Sequence, residues 1–205
     1  MTAPVHPRLH TDTDDGMLLI ISGPSGVGKT TITRGVERGI PDAVFSVSAT
    51  TRPKTPADVD GVDYHFVTDE EFLRMRANHE FLETADIYGK RYGTPRAWVE
   101  EHMRRGRLVI LEIDVEGAKQ VKAKIPGAFG IFVMPPTESV LLERLRSRKR
   151  EDEAAIQRRF AEAKREIENA RSCGVYNVFL VNEKIDEAIA RAVAAVNAER
   201  ARRRA

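Results

Sequence analysis

A chain of 205 residues carries 41% apolar and 31% charged residues with a formal net charge of +2. These are the values of an ordinary soluble domain, long enough for one substantial core. Balanced acids and bases exclude the strongly basic footprint of a nucleic-acid binder, no apolar run approaches the roughly 18 residues of a membrane span, and the single cysteine, Cys173, excludes an internal disulfide. A cytoplasmic setting is expected.

In chain order, residues 1–16 are polar, contain two prolines and show no periodicity, so a disordered arm is expected there. From Met17 onward short apolar runs alternate with amphipathic stretches, the rhythm of a doubly wound α/β fold with a parallel sheet covered by helices. The runs "MLLIIS", "AVFSVS", "LVILEID", "AFGIFVM" and "VYNVFLV" are the expected strands. Between Thr50 and Thr94 the rhythm breaks into a small β-rich insert with one short helix, opened by Thr68 as the cap of a capping box ending at Glu71. Pro95 is expected as the first residue of the helix "PRAWVEEHMRRG". After Met134 two helices follow, joined by a highly charged stretch; on the second, Ile156, Phe160, Ala163, Ile167 and Ala170 share one face. The basic end "ERARRRA" reads as a solvated helix terminus.

The stretch "GPSGVGKTT" comprises Gly23, Pro24, Ser25, Gly26, Val27, Gly28, Lys29, Thr30 and Thr31. It fits G-x-x-x-x-G-K-[ST] in full, with an apolar strand before it and a helix after it. Glycines let backbone amides curl around phosphate oxygens, and the helix N-terminus adds its positive end. Lys29 neutralises β- and γ-phosphate charge, and the Thr30 hydroxyl offers a place for Mg²⁺. Glu112 and Asp114 close the strand "LVILEID" beside this loop, where an acidic group can hold Mg²⁺ directly or through water. Asp114 equally reads as the N-cap of the next helix. A phosphate loop by itself leaves the acceptor open: another mononucleotide, a phosphorylated sugar, or none at all in a binding module.

Further along, "SATTRPK", "GVDYHF", "EFLETADIYGKRYGT", "LEIDVEGA" and the charged segment from Arg148 to Arg159 follow in an order that resembles the guanylate kinase family over most of the chain. The resemblance implies one domain over residues 17–205. Its core would be 17–49, 95–143 and 160–205, its GMP-binding insert 50–94, and its helical lid about 144–159. It also implies the substrates ATP and GMP, with dGMP, and Mg²⁺ as cofactor. Carried over residue by residue, Ser48, Arg52, Tyr64 and Tyr92 hold the acceptor phosphate, while Glu83 and Thr94 read the guanine. Arg148 and Arg159, with Lys29 and Arg52, neutralise the transferring group, and Asn182 lies beside the adenine. A carboxylate at Glu83 can accept from the ring imino and exocyclic amino groups of guanine, a pair that adenine lacks. Thr94 can donate to the guanine carbonyl.

The chain also departs from the family pattern. Where the family usually has a second acceptor-phosphate arginine and then a glutamate, "RPKTPAD" has Thr55 and Asp58. Lys54 is a neighbouring charge without the planar fork of arginine.

Overall fold

The structure, a computed structural model, describes residues 16–87, 89–147 and 152–205. Except for Gly16, the expected N-terminal arm lies outside the described residues, as do Arg148 and part of the charged joint. In chain order the elements are β1 (Met17–Ser22), α1 (Lys29–Gly39), β2 (Ala43–Phe45), β3 (Ala49–Thr50), β4 (His65–Phe66), α2 (Asp69–Ala77), β5 (Phe81–Ile87), β6 (Lys90–Pro95), α3 (Arg96–Arg104), β7 (Leu108–Glu112), α4 (Val115–Lys124), β8 (Phe129–Met134), α5 (Glu138–Ser147), α6 (Glu153–Ser172), β9 (Val178–Val181) and α7 (Ile185–Arg204).

Every residue of β1 is buried because β1 is the middle of a parallel five-stranded sheet, ordered β2-β7-β1-β8-β9. Its side chains alternate between two cores. Met17, Leu19 and Ile21 pack with Ile32 and Val36 of α1 and with Ala188 and Val196 of α7. Leu18 and Ile20 pack with Val99 of α3 and Val121 of α4 on the opposite face. Strand order reverses at β1, so the carboxyl ends of β1 and β7 open onto the crevice where such sheets bind ligands.

A second sheet, ordered β4-β3-β6-β5, is built by the β-rich stretch and covered by α2, where Phe72 stacks on Phe81 at 4.7 Å between ring centroids. Thr68 caps α2 by accepting from Glu71 N at 3.1 Å, as the sequence predicts. Pro95 differs from expectation: its backbone is extended (ψ 117°) and it serves as the N-cap, with α3 beginning at Arg96. Lacking an N–H, it ends β6 without leaving a donor unmet.

A bulge in β5 positions the site. The β5–β6 register passes from Phe81↔Pro95 to Thr84↔Gly93, so Leu82 and Glu83 together oppose Thr94. Regular alternation would turn Phe81 and Glu83 to one face. Instead Phe81 enters the small core, Leu82 enters the main one, and Glu83 is re-aimed, as bulges do beside functional sites. The free edge of β5 is closed by α4. Gln120 accepts from Thr84 N at 3.2 Å and donates to Thr84 O at 2.9 Å, and Lys124 donates to Leu82 O.

Candidate active site

The phosphate loop runs from β1 to α1 and turns on Gly28, the N-cap of α1, at φ 93°. A side chain there would be strained, and its Cβ would lie 2.7 Å from the Asn182 amide nitrogen. Lys29 Nζ folds back over the loop, donating to Gly23 O and to Pro24 O at 3.1 Å. Parallel pairing sets Ile21 beside Glu112, which brings Glu112 level with the loop, and Thr30 Oγ1 donates to Glu112 Oε1 at 2.8 Å. Pro24, Ser25, Lys29, Thr30, Thr31 and Glu112 help line a cavity of about 190 Å³. Two oxygen donors, one of them anionic, meet there beside the phosphate cradle, a donor set suited to a hard divalent cation.

Arg159, one of the expected lid arginines, reaches the loop from α6 and donates to Ser25 Oγ. Asn182, expected beside the adenine, lies beneath the loop: it is 4% exposed and donates to Val27 O at 2.7 Å. Arg144 Nη2 donates to Asn182 O at 3.1 Å. Asp114 is the N-cap of α4, accepting from Gly117 N at 2.7 Å. Of its two expected roles the structure displays the cap.

The insert supplies the second half of the crevice. Arg52 lies against the rings of Tyr64 and Phe66, its guanidinium carbon 5.3 and 5.5 Å from their centroids, and Tyr64 meets Tyr92 edge-on at 5.6 Å. Ser48 stands just before β3, its carbonyl accepting from His65 N at 2.9 Å. Glu83 is 3% exposed and accepts from Thr94 Oγ1 at 2.6 Å. Across from them, α4 comes close because residue 117 is glycine: a Cβ there would lie 2.7 Å from Glu83 Oε2 and 3.2 Å from Asp114 Oδ1.

The model of the family described as guanylate kinase matches residues 15–199. The chain belongs to the guanylate kinase family. The guanylate kinase of Carboxydothermus hydrogenoformans is 44% identical over 185 residues, covering 90% of this chain and 89% of that one. That of Thermotoga maritima is 43% identical over 187 residues, with 91% and 89% covered. The crystal structure of guanylate kinase from Anaplasma phagocytophilum superposes with a TM-score of 0.73 at 33% identity, covering 91% of this chain and 87% of that one. The reaction is therefore ATP-dependent phosphorylation of GMP to GDP in nucleotide metabolism.

For guanylate kinase chemistry the electrostatics of Glu83 matter most. Burial raises its carboxyl; the Thr94 hydrogen bond opposes the rise and the Asp114 charge adds to it, leaving it at about 7. The Thr94 hydroxyl has one proton, and here it points at Glu83 rather than outward, so donation to a guanine carbonyl requires that bond to break. Burial likewise raises the Tyr64 hydroxyl. Four contributions had escaped the sequence reading. The β5 bulge, the Gly117 approach and Asp58, which accepts from Arg52 Nη1 at 3.0 Å and Nη2 at 2.9 Å, are three of them. The fourth is Glu166 of α6, whose carboxyl is raised by burial while the Lys29 charge opposes the rise. The glycine of "DVEGA", in the first turn of a helix where glycine is unfavourable, was the one visible signal.

Proposed function

We propose that the phosphate loop holds ATP and the insert holds GMP, so that the γ-phosphoryl group passes in line between them across the crevice. Lys29 and Arg159 take up charge on the donor side, with Arg148, outside the described residues, as their partner in the lid. Arg52, Ser48, Tyr64 and Tyr92 hold the acceptor phosphate, and Asn182 acts through the loop it braces. Thr30 and Glu112, together with Asp114, would hold Mg²⁺, which would supply positive charge against the negative charge of the phosphates. Residues 50–94 and about 144–159 are the parts that close over the core at residues 17–49, 95–143 and 160–205.

The observation that carries the assignment is the buried Glu83 carboxylate, turned by the bulge onto Thr94 and away from the small core. In ionised form it is an acceptor-only group, matched to the two adjacent donors of guanine and to nothing adenine presents on that edge. Because these residues read the base and not the sugar, dGMP is proposed as a second acceptor. The single cysteine supports a cytoplasmic location.

Inosine monophosphate keeps the ring imino donor and loses the exocyclic amino group, so it isolates half of the contact. Relative to GMP it should lose about tenfold to a hundredfold in kcat/KM, the size of one buried hydrogen bond of 1.4 to 3 kcal/mol. In Glu83→Gln that discrimination should collapse. Equal discrimination in both proteins would place base reading elsewhere.

A further inference from the structure

We propose that Asp58 is a positioning residue for the acceptor phosphate, one that turns the Arg52 guanidinium so that a single two-donor edge faces the incoming anion. The inference rests on the assignment of Arg52 to that phosphate.

A guanidinium has five N–H donors in one plane. Arg52 Nη1 donates to Asp58 Oδ2 at 3.0 Å and to Pro53 O at 3.1 Å, and Nη2 donates to Asp58 Oδ1 at 2.9 Å. Three donors are thereby engaged by the loop itself. The two that remain, Nε–H and the second Nη2–H, lie on the same edge of the plane and meet no acceptor among the described residues. Two parallel N–H groups on one edge match two oxygens of a phosphate.

Asp58 is itself fixed. Its Oδ2 accepts from Thr55 N and from Thr55 Oγ1, both at 2.7 Å, and Asp58 N donates to Thr55 O at 3.0 Å. The rings of Tyr64 and Phe66 hold the guanidinium from the side. Thr55, at the position where the family usually places a second arginine, therefore serves as the strut of this clamp, and its hydroxyl is occupied by Asp58. The loop replaces a second cation with fixed orientation of the first: less of the arginine's rotational freedom remains to be lost on binding. The carboxylate occupies the end of the fork formed by Nη1 and Nη2 and leaves the adjoining Nε/Nη2 edge to the phosphate.

The test is steady-state kinetics with GMP and ATP varied separately, alongside melting curves, for Arg52→Ala, Asp58→Ala, Asp58→Glu and Thr55→Val. Asp58→Ala should raise the KM for GMP about tenfold, a difference of about 1.4 kcal/mol, with the KM for ATP unchanged. Asp58→Glu should restore most of the loss, because it again offers two oxygens to the fork, and Thr55→Val should give a smaller rise in the same direction. A KM for GMP that is unchanged or lower in Asp58→Ala would overturn the proposal, the lower value meaning that Asp58 competes with the phosphate. So would an Asp58→Glu protein no better than Asp58→Ala. If Arg52→Ala leaves the KM for GMP unchanged, the assignment of Arg52 fails. If Arg52→Ala raises it and Asp58→Ala does not, only the positioning role fails.

Discussion

Glu83 and Thr94 are joined by a hydrogen bond of 2.6 Å and both are almost wholly buried, at 3% and 1% exposure. The carboxyl sits at about 7, which makes GMP recognition dependent on pH close to neutrality. Only the ionised form accepts two guanine donors, so the KM for GMP should be flat above pH 7 and rise by roughly tenfold per unit below it. Thr94→Val removes a hydrogen bond that favours the ionised form and should move this limb to higher pH. Profiles of KM for GMP between pH 5.5 and 8.5 check both; a KM for GMP independent of pH in the parent protein would contradict the assignment.

Gly117→Ala separates stability from recognition. In an ordinary helix the change from glycine to alanine stabilises by up to about 1 kcal/mol. Here the new Cβ would arrive 2.7 Å from Glu83 Oε2 and push the carboxylate off its position. The expected outcome is a folded protein with an unchanged or slightly higher Tm and a raised KM for GMP. A large drop in Tm with normal GMP kinetics would show that the close approach serves packing alone.

Lys29→Ala should cut kcat by about 10²–10³-fold, the usual effect of removing one fixed donor to developing charge. Lys29 also ties down the Gly23 and Pro24 carbonyls, so a modest fall in Tm is expected as well. Near-normal turnover in the folded variant would remove Lys29 from the chemistry.

Much of the fold is legible in the sequence. The five apolar runs form the parallel sheet, the three central ones, β1, β7 and β8, almost wholly buried and the edge strands β2 and β9 less so, because their length and apolarity permit little else, and G-x-x-x-x-G-K-T sits where a strand meets a helix. Less readable was everything set by register and by contacts distant in sequence. Glu83 faces Thr94 through a one-residue bulge, and alternation counted along "FLETADI" would have turned it into the small core. Asn182 lies under the loop because β9 follows β8 in the sheet, a neighbourhood 155 residues away from Val27 in the chain. Arg52 and Asp58 pair across a turn whose conformation "PKTPA" does not announce.

The Asp42–Arg200 pair is a purely structural counterpart. Both are 8% exposed, Arg200 Nη1 donates to Asp42 Oδ1 at 2.9 Å, and Asp42 Oδ2 also accepts from Leu108 N at 3.3 Å, fastening the end of α7 to β7. Burial alone would raise the Asp42 carboxyl, but the Arg200 hydrogen bond and charge hold it below its ordinary 3.8. With the folded value the lower one, this contribution is present above pH 3.8 and is lost as pH falls through the folded value. Asp42→Ala should cost about 3 kcal/mol by leaving a buried guanidinium unpaired, with the KM for GMP and ATP unchanged. Denaturant unfolding at pH 7 measures it, and a loss under about 1 kcal/mol would mean that the pair is solvated in practice.

The most direct measurement is ADP release from ATP with GMP, AMP, UMP and CMP supplied in turn to the parent protein at pH 7.5. Turnover with GMP should exceed that with each of the other three by at least about 10³-fold in kcat/KM, as expected for a buried site built around an adjacent pair of imino and amino donors that none of the other three presents. Comparable turnover with AMP, or turnover with AMP and none with GMP, would contradict the account.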